Sequence, residues 1–112
     1  MKFDFRKIDD VQIIIINGEM VGGPDATLLS EKIREYIDLG KNKIIIDMKN
    51  VHWMNSSGLG ILIGGLSTVR NQGGDLKLIH LKEKPQELLR ITKLDQVFQI
   101  FDREEEALAS FK

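Results

Sequence analysis

The chain has 112 residues, 42% of them hydrophobic, which allows one domain with one modest core. Its 16 basic residues balance 17 acidic ones, so no net field exists to recruit nucleic acid or an anionic membrane surface. With no cysteine, thiolate metal centres are excluded, and with only His52 and His80, far apart in sequence, neither a histidine metal site nor a cofactor is expected.

Met1 to Arg6 lack the apolar run of a signal peptide. The longest apolar stretch, Gly58 to Leu66, is about half of the roughly 20 residues that a membrane span needs. A soluble, cytoplasmic protein with no direct membrane insertion is the expectation.

Phe3 to Ile8 reads as a first strand, and Asp9-Asp10 as a turn into a second, Val11 to Asn17, paired as a hairpin. Ile13 to Ile16 break the alternation of a half-exposed strand and read as a strand covered on both faces. Gly18 to Gly23 is a loop; Pro24 opens a helix and Gly40 closes it. Within that helix Ala26, Leu29, Ile33 and Tyr36 with Ile37 recur at helical spacing. Lys43 to Met48 is again solidly aliphatic and reads as a central strand. A polar loop follows, then a helix from about Ser57 to Gln72, with Leu59, Leu62, Ile63, Leu66 and Val69 as its core stripe. Gly60, Gly64 and Thr68 form a second stripe of small residues. That stripe is expected to let backbones pack closely on the sheet or a neighbouring helix; the other reading is a flat ridge left for a partner. Asp75 to Leu81 is a fourth strand, Pro85 to Lys93 a short helix, Val97 to Phe101 a last strand. Glu104 to Phe111 is a terminal helix whose acidic first turn suits its dipole. The order gives the α/β class: one mixed β-sheet with an N-terminal β-hairpin, and helices connecting the later, parallel strands through right-handed crossovers.

The unusual residues gather between Val51 and Gly60. A short side-chain oxygen at Asn55, Ser56 or Ser57 can accept from the free N–H groups of the following helix. A phosphate added to a hydroxyl there would meet unpaired donors at the positive end of the helix dipole. Catalysis is not supported. Ser56 has His52 four positions back, but no Gly-x-Ser-x-Gly elbow surrounds it. Gly58-Leu59-Gly60 is not followed by the Gly-Lys-Ser/Thr of a phosphate-binding loop, and Gly18 to Gly23 lacks the dinucleotide spacing. Trp53 is expected to pack over the loop, Met54 to fill core, and both histidines to be satisfied polar residues.

Asn55-Ser56-Ser57-Gly58-Leu59-Gly60 after an aliphatic strand resembles the Asp-Ser-Ser/Thr-Gly-Leu-Gly signature of STAS domains, specifically of bacterial anti-sigma factor antagonists. Ile15 to Glu19 is similar to that family's early strand ending in Gly-Glu, and Gln72 to Leu78 to its Gly-Gly-then-strand segment. Leu88 to Leu94 with Val97-Phe98 is similar to its closing helix and strand. The resemblance runs from about Phe3 to Phe111 and implies a single STAS domain over residues 1–112.

It further implies a binding module that holds an anti-sigma factor serine kinase and so frees a sigma factor, with a PP2C-type phosphatase as a second partner. The phospho-acceptor it implies is Ser56, with Ser57 as the neighbouring hydroxyl and helix cap. The implied partner surface is Glu19, Met20, Val21 and Gly22 with Met54, Asn55, Ser56, Ser57, Gly58, Leu59 and Gly60. Both loops follow strand C-termini, which share one edge of a parallel sheet. Two residues depart from the family pattern: Asn55 and Val21 stand where acidic residues are usual. The alternative is a constitutive, non-phosphorylated STAS subunit of a signalling scaffold or lipid-transport complex.

Overall fold

Ile13 to Ile16 are all buried because the strand that carries them, β2 (Val11–Asn17), is covered on both faces. The computed structural model describes residues 2–112. β1 (Lys2–Ile8) pairs antiparallel with β2 as the expected hairpin. β3 (Lys43–Asn50), β4 (Asp75–Ile79) and β5 (Gln99–Phe101) then add in parallel, so the five strands lie in chain order with β3 central. The helices are α1 (Pro24–Asp38), α2 (Ser56–Asn71), α3 (Glu83–Ile91) and α4 (Glu104–Ala109). None is long and apolar enough to cross a membrane among the described residues.

The two faces of the sheet are unequal. Ile14, Ile16, Ile44, Ile46, Met48, Leu76 and Leu78 meet Leu29 and Ile33 of α1, Leu62, Leu66 and Val69 of α2, and Leu89 of α3. Val11, Ile13, Ile15, Ile45 and Ile79 meet only a thin cover, Ala107 and Leu108 of α4 with Phe111. Burying one such aliphatic side chain stabilises by about 1.5–3 kcal/mol, which explains why both faces of β2 and β3 are mostly aliphatic.

Several expectations need correction. β4 stops at Ile79 rather than Leu81, because His80, whose N–H still donates to Phe101 O at 3.3 Å, turns left-handed (φ 59°) and ends the strand. Its Nδ1 lies 3.0 Å from Oδ1 of Asp47, a carboxylate buried on β3 that also takes the Lys49 N–H. β5 is only Gln99–Phe101, since Leu94–Gln96 forms a 3-10 turn. α4 ends at Ala109, before Phe111. Ile63 is exposed rather than in the core stripe. The small-residue stripe does not pack: a Cβ added at Gly60 or Gly64 would meet nothing within 4 Å. The close approach belongs to Gly65, about 100° further around the helix, where a Cβ would lie 2.8 Å from Ile33 Cδ1.

Lys77 is the anomaly of the thinner face. It is 4% exposed, donates to the Ser110 hydroxyl, and holds its ammonium 4.1 Å from the Phe111 ring centroid. Burial pushes this ammonium below the ordinary lysine value, against the raising pull of Asp75. Between the folded value and the unfolded one the unfolded chain binds more protons, so stability rises with pH across that window. Lys77→Met is expected to gain on the order of 1 kcal/mol at neutral pH. The gain should shrink as pH approaches about 10, where the wild-type ammonium also deprotonates in the unfolded chain. Urea unfolding at neutral and alkaline pH measures it; a destabilised Lys77→Met would contradict it.

Candidate functional site

The pairing of β2 with β3 continues beyond both strands. Gly18 N–H donates to Asn50 O (3.3 Å), Met20 N–H to Trp53 O (3.2 Å), and Asn55 N–H to Met20 O (3.2 Å). Met20 and Met54 form a parallel bridge, and both side chains are buried with Val51. The loops after β2 and β3 are therefore one hydrogen-bonded unit. Two glycines permit it. A Cβ on Gly58 would fall 2.1 Å from the Met20 carbonyl oxygen, and one on Gly22 would lie 2.9 Å from Ser57 Cβ. Gly22 also has φ 89°, which a side chain would strain.

Asn55, not a serine, caps α2. Its backbone is extended and its Oδ1 accepts from the Gly58 N–H at 2.9 Å. Its Nδ2 donates to the Val21 carbonyl at 3.4 Å, tying the cap to the other loop. The reading of Ser57 as a cap, and of Ser57 as the helix start, is thus corrected: Ser56 and Ser57 are the first two helical residues. Asn wins because its amide can accept toward the helix and donate to a carbonyl at once, which a hydroxyl one residue later cannot reach. The Ser56 hydroxyl is exposed and has no intramolecular hydrogen bond among the described residues. Ser57 is exposed as well, but its Cβ packs toward Gly22. The first turn of α2 carries no acidic side chain, and Glu19 is the single carboxylate in either loop.

The structure divides the residues named from sequence. Glu19, Val21, Ser56, Ser57 and Gly60 are exposed, with Gly22 and Asn55 half-buried beside them. Met20, Met54, Gly58 and Leu59 are buried and form the support instead of the surface. The expectation that Trp53 packs over the loop is overturned. It is 45% exposed, because Val51 and Met54 fill the space beneath. Trp53 joins Lys84, Leu88 and Ile91 around a cavity of about 170 Å³. Sequence reasoning missed this α3 wall, whose one signal was the exposed apolar Ile91 at the end of an amphipathic helix.

Gly58→Ala should destabilise by about 1–3 kcal/mol, because the clash is with backbone and cannot be relieved by a rotamer. Gly60→Ala, with open space around it, should stabilise by about 0.5–1 kcal/mol through helix propensity. Urea unfolding of the two variants checks both signs, and equal effects would refute the packing described.

With this geometry in hand, comparison with known proteins is direct. A profile of the STAS domain matches residues 2–107. The anti-sigma-B factor antagonist of Bacillus subtilis is 35% identical over 97 residues, covering 87% of this chain and 86% of that protein. A Thermotoga maritima protein provisionally named an anti-sigma factor antagonist is 30% identical over 107 residues, covering 95% and 94%. A Thermotoga maritima crystal structure carrying the same provisional name superposes with TM-score 0.89 at 29% identity, over 97% of this chain and 93% of that one. The structure of an anti-sigma factor antagonist from Mycobacterium paratuberculosis, at 20% identity and TM-score 0.84, shares the fold over 98% and 92%. Signature, topology and profile agree: the chain belongs to the STAS domain family.

Proposed function

We propose that this protein is an anti-sigma factor antagonist that binds a kinase-type anti-sigma factor through the joined loops after β2 and β3, and is released when Ser56 is phosphorylated. The observation that carries the reading is the position of Ser56. Its hydroxyl is exposed and unbonded among the described residues at the first turn of α2, on a loop pinned from beneath by Met20, Met54 and Gly58. A kinase can reach such a hydroxyl without unfolding anything. The relatives named anti-sigma factor antagonists support the class of partner.

A phosphate adds about −1.5 to −2 charges at neutral pH. Within the domain it would be tolerated, since it would face the free first-turn N–H groups and the positive end of the helix dipole. A partner surface fitted to a neutral hydroxyl would instead meet a desolvated charge. The fold would stay intact and the complex would be lost. A PP2C-type phosphatase would reverse the change.

Asn55 and Val21 favour a second reading, a constitutive STAS subunit of a scaffold or lipid-transport complex. Asn55 precedes Ser56 and is joined to Val21 by one hydrogen bond, so two positions usually acidic in the family are neutral at this edge. The two readings separate on one experiment. The wild-type protein, Ser56→Ala and Ser56→Asp are titrated calorimetrically against the kinase-type anti-sigma factor of the same organism. The switch predicts that Ser56→Ala binds like wild type and that Ser56→Asp binds at least about tenfold more weakly, a loss of about 1.4 kcal/mol. Incubation of the wild type with the kinase and ATP should add one phosphate, and Ser56→Ala should stay unmodified. Equal binding by all three and no phosphate would leave the constitutive reading in its place.

A further inference from the structure

The buried ammonium of Lys77 lies far from the Ser56 edge, at a cleft of about 360 Å³ where β3 and β4 begin. Lys43, Gln99, Asn42, Ser110 and Phe111 share the lining. Gln99 pairs with Lys77 across β4 and β5, so both stand on the same face of the sheet. The cleft is open to a molecule of the size of inorganic phosphate or a small metabolite.

The lining sets two lysines, Lys77 and Lys43, against one carboxylate, Asp75. Lys77 makes no ion pair among the described residues, and the Ser110 hydroxyl takes one of the three N–H groups of its ammonium. A buried cation without a counter-charge is costly to hold. The rings of Phe101 and Phe111 soften that cost but accept no hydrogen bond of ordinary strength. Asp75 on the rim acts on the Lys77 ammonium through space without pairing with it, since its Oδ1 accepts from Arg70 Nε at 3.1 Å and from the Leu76 N–H at 2.9 Å. Lys43 brings a second positive charge, shared with Asp10 at 2.7 Å. The Gln99 amide can add donors, while that of Asn42 already donates to the Gln72 carbonyl at 3.1 Å.

We propose that this cleft binds a small oxyanion, a phosphate or carboxylate group, with Lys77 as its anchoring charge. The anion supplies the direct ion pair that Lys77 lacks among the described residues, and meets the remaining Lys77 donors at the cleft floor. The site is at the opposite end of the parallel strands from Ser56 and does not depend on the antagonist reading.

The test is an amide chemical-shift titration of the full-length protein with inorganic phosphate, at ionic strength held constant with chloride. Saturable shifts are expected at residues 73–77, 99 and 110–111, with half-saturation at or below a few millimolar, as charge-assisted bonds of this kind allow. Lys77→Met should weaken the binding at least roughly tenfold. Ser110→Glu, at an exposed position, should do the same by giving Lys77 an internal carboxylate, and it tests the site without removing the lysine. Acetate moving the same amides would extend the class to carboxylates; silence with acetate would confine it to phosphates. No saturable shift by roughly 50 mM phosphate, or unchanged affinity in either variant, would overturn the site.

Discussion

The parallel pairing of β2 with β3 does not stop where the strands stop. It runs on through Met20, Trp53 and Asn55 and is sealed by Gly58 against the Met20 carbonyl. A loop joined to its neighbour by backbone hydrogen bonds loses most of the conformational freedom that a glycine-rich segment would otherwise have. Everything notable about the α2 N-terminus follows from that constraint. Asn55 is held where it can cap the helix and reach Val21, and Ser56 is left pointing outward on a fixed support.

The division of labour among neighbouring residues has a physical logic. Side chains beneath the loop are apolar or absent, because they fill the gap between the sheet edge and α2. Side chains above it are short and polar, or large and unburied, as Trp53 and Val21 are. A surface that mixes an exposed aromatic, small residues and one neutral hydroxyl suits a partner contact, because aromatic anchors contribute strongly where water is excluded around them. A single added phosphate changes the charge of such a surface while leaving its support untouched. The opposite end of the sheet obeys a different rule. There the terminal helix covers the strands thinly, and Lys77 occupies a position where an aliphatic residue would pack.

Much of the fold was legible in the residues. The isoleucine run announced a doubly covered strand, Pro24 and Gly40 marked the limits of α1 closely, and the strand-helix alternation implied the parallel sheet. The candidate site was legible as a location, since the signature and the Gly18–Gly23 loop do meet at one edge. Its internal roles were not. Asn55, Ser56 and Ser57 are equivalent as cap formers by composition, and only the Val21 carbonyl, distant in sequence, selects Asn55. Gly60, Gly64 and Gly65 look alike in a string; the position of Ile33 on α1 decides which of them is packed. His80 reads as one more strand residue until its left-handed backbone and its contact with Asp47 end the strand.

Sequence alone determined the class, the number and order of the elements, and the stretch that carries the family signature, because those depend on local periodicity, turn chemistry and motif spacing. Only the tertiary structure decided which side chains support and which face solvent, which residue caps α2, and that Trp53 and the glycine stripe lie open. It also decided that Lys77 is buried with no carboxylate paired to it among the described residues. Those properties are set by what arrives from elsewhere in the chain to cover a residue, and no local pattern records that arrival.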